Sequence, residues 1–356
     1  MHFADGVIPE EYRRYTSLKA GFVAALLVAL AGCLVVSISL GAADIPLLDV
    51  ARSLLGLSES QRFDIIIWNI RLPQALASIA AGAGLAVAGV VMQSILRNPL
   101  GAPITLGISH AAAFGAAFSV MVLGSGVMAS SNVGAVTITS PVMTTGSAFV
   151  FTVLTSGLIV LVSRARGATP EAMVLTGVAL NALFTAGTMF LQFFADDMQL
   201  AAMVFWTFGD TARASWSELG LIAGVTVVAS AYFLMNGWNY NAMDAGDETA
   251  KGLGVRVERV RIVGMLVASL LTAVIISFLG IIGFVGLVVP HMVRWLIGSD
   301  HRFLLPASIL GGGVLLLVAD TAARLMLAPH VLPVSVLTAF TGAPVFIALI
   351  IKGKRI

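Results

Sequence analysis

Residues 20–40 read AGFVAALLVALAGCLVVSISL, an unbroken run without a single charge. At 1.5 Å per residue, a helix of this length covers roughly 30 Å, the thickness of a bilayer's hydrocarbon core. The run does not alternate, as a barrel strand of about ten residues would. It is too long for the apolar region of a secretory leader. The segment before it, with Asp5, Glu10, Glu11, Arg13, Arg14 and Lys19, is too long and too acidic for one. It reads as an uncleaved first spanning helix. The rest of the 356-residue chain has the same character, with 58% hydrophobic and 11% charged residues and a mean hydropathy of +0.99. A soluble domain carries roughly 25% charged residues because its surface must face water. The expected fold class is an all-α polytopic membrane protein.

Charges, prolines and glycines divide the apolar mass into ten candidate spans: 19–40, 73–96, 104–123, 141–163, 171–194, 217–235, 261–280, 282–297, 303–320 and 335–351. The pair 261–280 and 282–297 also reads as one element broken between Gly280 and Gly286. One membrane domain covers 1–356, with a short N-terminal segment 1–18 and a charged stretch at 237–260. Lysine and arginine are retained on the cytoplasmic side of a membrane. With ten spans and the N-terminus inside, fifteen of the twenty basic residues fall inside, leaving Arg52, Arg62, Arg71, Arg213 and Arg324 outside. Both termini are therefore expected to be cytoplasmic. Two five-span halves would then be inverted relative to each other. Gly89, Arg97, Gly101 and Gly115 recur at one fixed offset as Gly286, Arg294, Gly298 and Gly312, although 36 glycines supply much of that by chance.

Enzyme signatures are missing. No G-x-x-x-x-G-K-[ST] sequence is present to cradle nucleotide phosphates, and no H-E-x-x-H spacing or second cysteine beside Cys33 suggests a metal site. Asp196 and Asp197 read as solvated charges at a helix end. Among ionisable residues only His110 lies clearly inside a span, about two turns from its start, as a packing histidine or a substrate contact. An ion-coupled carrier normally buries acids or bases near the midplane. The most charged stretch, 241–261, can form a short helix capped by Asp244 or Asp247 and ended by Gly252 or Gly254. It reads either as an amphipathic helix on the membrane face or as a solvated loop.

Several ordered motifs are similar to those of the FecCD-type permeases, the membrane subunits of ABC importers for iron–siderophore complexes, haem and vitamin B12. They are Arg71-Leu-Pro-Gln74, Gly82 to Gly89, Gln93, Arg97-Asn-Pro-Leu-Gly-Ala-Pro103, Leu106 to Ser109, Gly246 to Val255, Gly283 to His291, Asp300-His-Arg302, Leu305-Pro306, Leu332-Pro-Val334 and Gly342-Ala-Pro344. The resemblance implies a type II ABC importer permease fold working as a homodimer. Two copies of a separate ATPase subunit would carry ATP and Mg, and an extracytoplasmic binding protein would deliver the solute. No cofactor on this chain, no catalytic residue and no nucleic acid is implied. It places the ATPase-coupling loop on Gly246, Asp247, Glu248, Ala250, Leu253 and Gly254, the inner gate on Asn98, Leu100, Pro170 and Glu171, and binding-protein docking on Arg71 and Arg324.

Physical chemistry supports parts of this. Pro99 excludes helical geometry at Asn98, so a turn is expected there, whereas Pro170 and Glu171 also suit an ordinary helix start. Three departures stand out. Gln74 replaces a common arginine, Pro170-Glu171 replaces small hydroxyl residues, and the Gly/Ser/Thr-rich stretch 124–140 is longer than usual. The expected function is import of an iron(III) chelate, or else haem or cobalamin, across a bacterial or archaeal plasma membrane. An ion-coupled secondary transporter is the alternative of another class, and a membrane-embedded enzyme comes third.

Overall fold

Every run expected to span becomes a helix in the computed structural model, which describes residues 10–41, 44–58, 60–125, 140–327 and 330–352. The first half holds α1 (Glu10–Ser39), α2 (Leu47–Leu54), α3 (Gln61–Ile66), α4 (Leu72–Ile95), α5 (Ile108–Met121), α6 (Pro141–Ala165) and α7 (Pro170–Phe194). After α8 (Asp197–Thr207), the second half holds α9 (Trp216–Met235), α10 (Gly237–Asp244), α11 (Asp247–Gly252), α12 (Val257–Leu279), α13 (Val285–Ile297), α14 (His301–Met326) and α15 (Val334–Lys352). Among the described residues, seven helical runs are long and apolar enough to cross a membrane, and α5, α13 and α15 are shorter apolar helices. Together they account for the ten expected spans. Of the stretch 124–140, residues 126–139 lie outside the described residues.

The structure sharpens the boundaries. Gly280 and Phe284 both have positive φ, so 261–280 and 282–297 are two elements, α12 and α13. The stretch 41–71 contains α2 and α3, and 196–216 contains α8. Asp196 does more than meet solvent: it accepts from the backbone N–H of Gln199 at 2.7 Å, and the Gln199 side chain accepts from Asp196 N–H in return. That reciprocal cap was readable as Asp-x-x-Gln.

Helix α4 is the centre of the molecule, with 21 of its 24 residues buried. A helix enclosed on all sides needs small side chains where its neighbours cross. A Cβ on Gly82 would lie 2.2 Å from the carbonyl oxygen of Gly312 in α14. One on Gly89 would lie 1.9 Å from that of Gly286 in α13. Backbone rests on backbone at both crossings.

Pairwise contacts show that the halves are inverted. Arg261 Nε of α12 donates to Ile95 O of α4, and Gly84 of α4 packs on Leu271 and Ile275 of α12. These two core helices run antiparallel. Each leads to a non-helical break, a short helix and two longer ones. Both short helices start at a left-handed residue, Gly107 before α5 and Phe284 before α13. Gly107 packs against Gly177 and Asn181 of α7, and Phe284 packs against Gly342 of α15. The fixed offset noticed in the sequence is not this repeat. Gly89 and Gly286 occupy unlike places, the middle of α4 and the start of α13, and touch each other.

Candidate coupling and gating site

The charged stretch folds as two short helices, α10 and α11, at the end of the molecule where basic residues collect. Asn241 of α10 donates to Asp300 at 3.1 Å and accepts from the backbone N–H of His301 at 2.9 Å. Burial would raise the Asp300 carboxyl, but hydrogen bonds from Arg302 and Asn241 reverse this and hold it at about 2. Tyr240 is fully buried against the His301 ring, and that burial raises its phenol pKa. The start of α14 therefore fixes α10.

Gly246, at φ 113°, turns the chain from α10 into α11. Asp244 ends α10 and Asp247 opens α11. Neither caps α11, whose N-cap is Gly246. Asp247 instead forms a two-pronged pair with Arg261, both contacts at 2.9 Å. Ala250 is completely buried, whereas Leu253 is 69% exposed. Glu248 and Lys251 pair at 3.0 Å on the exposed side, which raises the Lys251 pKa. Gly254 closes the motif at φ 84°. The helix buries one face and presents a charged face with one leucine, the amphipathic form of the two readings.

The turn after α4 has the expected geometry. Asn98 Oδ1 accepts from Leu100 N–H at 2.9 Å and Asn98 O accepts from Gly101 N–H at 2.8 Å. Leu100 is left 48% exposed. At the start of α7, Thr169 caps by accepting from Ala172 N–H at 3.3 Å. Pro170 occupies the first turn and Glu171 is exposed behind it. The geometry is that of a regular helix start.

At the opposite end, Arg71 and Arg324 are committed within the chain. Arg71 is 6% exposed and donates to Ile38 O and Ser39 O at the end of α1. Arg324 pairs with buried Asp320 at 3.1 Å and donates to Ser37 Oγ. The last carbonyls of a helix carry partial negative charge, and both guanidiniums lie against them. Gln74 also has a partner, donating to Asp320 at 3.0 Å. A neutral amide suits this place, because one carboxylate already serves Arg324 with Arg71 close by.

His110 lies in the first turn of α5, nearer its start than expected, because the helix begins only at Ile108. It is half-buried, and its Nδ1 is buried without a hydrogen-bond partner. Beside it, the two helix breaks meet across a cavity of about 20 Å³ lined by Ala102, Pro103, Ile104, Ser109, Ile282 and Phe284. Among the described residues, no group of three or more His, Cys, Asp or Glu could hold a metal ion. Arg261 and Asn241 are the site residues that sequence reasoning missed. The available signal was an arginine at the edge of an apolar run, counted only toward the charge bias.

The model of the FecCD transport family matches residues 25–352. A Methanocaldococcus jannaschii protein named as an ABC transporter permease, MJ0087, is 51% identical over 345 residues, covering 97% of this chain and 98% of its own length. The hemin transport system permease protein HmuU of Yersinia pestis is 36% identical over 339 residues, with 95% and 96% covered. A solved structure described as an inward-facing conformation of a metal-chelate type ABC transporter superposes with a TM-score of 0.81 at 29% identity. It covers 94% of this chain and 100% of that one.

Proposed function

The chain belongs to the FecCD transport family, and from that premise we propose that it is the permease of an importer moving an iron(III) chelate inward. The family is one of ABC importer permeases for iron chelates, haem or vitamin B12. In this reading two copies of the chain enclose the pathway, and two ATPase subunits dock on α10–α11 from the cytoplasm. A binding protein delivers the chelate at the opposite end, where Arg71 and Arg324 hold the end of α1 in shape. Both termini are cytoplasmic in a plasma membrane. ATP and Mg belong to the ATPase subunits. Haem is the second candidate cargo, supported by the hemin permease among the relatives.

The observation that carries this reading is α11 itself, with Asp247 and Ala250 inward and Glu248 and Leu253 outward. Replacing Leu253 by Asp would place an unpaired charge in the contact, which costs several kcal/mol. The expected result is a folded permease that no longer retains the ATPase subunits on purification. A Leu253→Asp complex that assembles and imports normally would remove α11 from the interface.

A further inference from the structure

Arg261 is a cation 2% exposed near the start of α12, and each of its three nitrogens is bound to a different part of the chain. Nε donates to Ile95 O at 2.7 Å, at the end of α4. Nη1 donates to Ala168 O at 3.1 Å, in the turn before α7. Nη2 meets both oxygens of Asp247, at 2.9 Å each, in α11. Each bound turn contains a non-glycine residue with left-handed backbone, Arg97 at φ 48° just after Ile95, and Ala168 itself at φ 53°. Such residues persist only when their surroundings over-determine them, and they collect at switch regions.

We propose that Arg261 is the positioning residue through which displacement of α11 reaches both turns, 97–100 and 167–171. The inference rests on the proposed reading of α11 as the ATPase dock and of 98–100 as the inner gate. A guanidinium is planar and delocalised, so its donors move as one body. Asp247 is the carboxylate paired with this buried charge, and separating a buried pair is far more costly than moving it intact. When α11 is displaced, the fork follows Asp247 and its hold on Ile95 O and Ala168 O changes at the same moment. The two strained turns are then released or re-pinned together, which one helix alone could not impose on both.

The test uses the complete transporter with its ATPase subunits in proteoliposomes, in a Cys33→Ser background. Leu100→Cys reports the gate by crosslinking between the two copies, with and without trapped ATP. Arg261→Lys keeps the charge beside Asp247, but a single ammonium cannot span three partners. The expected result is nucleotide-dependent crosslinking in Leu100→Cys alone and loss of that dependence once Arg261→Lys is added. The ATPase subunits remain bound and hydrolyse ATP without import. Dependence that survives Arg261→Lys overturns the proposal and leaves the gate reading intact. Crosslinking that ignores nucleotide in Leu100→Cys alone overturns the gate and this proposal together. If Arg261→Lys does not assemble, Asp247→Asn gives the same comparison with the carbonyl contacts retained, and surviving dependence again overturns the proposal.

Discussion

Gly89→Ala adds a single methyl group at the crossing of α4 and α13. That Cβ would sit 1.9 Å from Gly286 O, while ordinary van der Waals contact begins near 3.4 Å. The helices must therefore part by about 1.5 Å, because the obstacle is backbone and cannot rotate away. Gly82 seats the same helix on Gly312, where a Cβ would lie 2.2 Å from the carbonyl oxygen, so separation at one crossing strains the other. Overpacking a full core costs about 1–3 kcal/mol and more where relief is blocked. The upper part of that range is expected here. The measurement is thermal unfolding of purified permease, with Gly220→Ala as control. Gly220 lies on α9 with open space where an alanine methyl would sit, and alanine there gains up to about 1 kcal/mol of helix propensity. Gly89→Ala should melt well below the native protein, and Gly220→Ala at or above it. Equal melting of all three would refute the backbone-to-backbone packing of α4.

Asp320→Ala should strand Arg324, whose side chain is 13% exposed, and leave Gln74 and Thr211 without their shared acceptor. Breaking a buried pair from one side costs about 3–5 kcal/mol. Unfolding should reveal the loss, and Asp320→Leu with Arg324→Leu should recover part of it; full stability of Asp320→Ala would dismiss the pair as a structural element. Topology is testable with single cysteines in Cys33→Ser vesicles. Positions within 241–260 should resist an external reagent and positions within 196–213 should react, the reverse pattern inverting the proposed orientation.

How far the sequence could be read depended on the range of the physics involved. The bilayer acts on each segment separately, so α1, α6, α7, α9 and α14 followed from apolar length alone. Local geometry was legible in part: Pro99 sets the turn at Asn98 and Gly254 closes α11, but the cap expected from Asp244 or Asp247 is Gly246 instead. The same local rules could have found α8 through Asp196 and Gln199. The end of α12 at Gly280 remained open in the sequence, because it depends on contacts from distant segments. Gly280 packs against the carbonyls of Trp206 and Phe208.

The partnerships that organise the site were not legible at all. Arg71 and Arg324 were read from the sequence as docking residues, and that reading did not include their partners within the chain, the end of α1 and Asp320. Arg261 counted as one positive charge among fifteen, yet it joins residues 95, 168 and 247. Apolar length, charge bias and turn chemistry are properties of neighbouring residues, and the sequence by itself determined those. A buried cation's choice of carbonyls, and which glycine must face which, depend on how helices distant in sequence stack, and only the tertiary structure decided them.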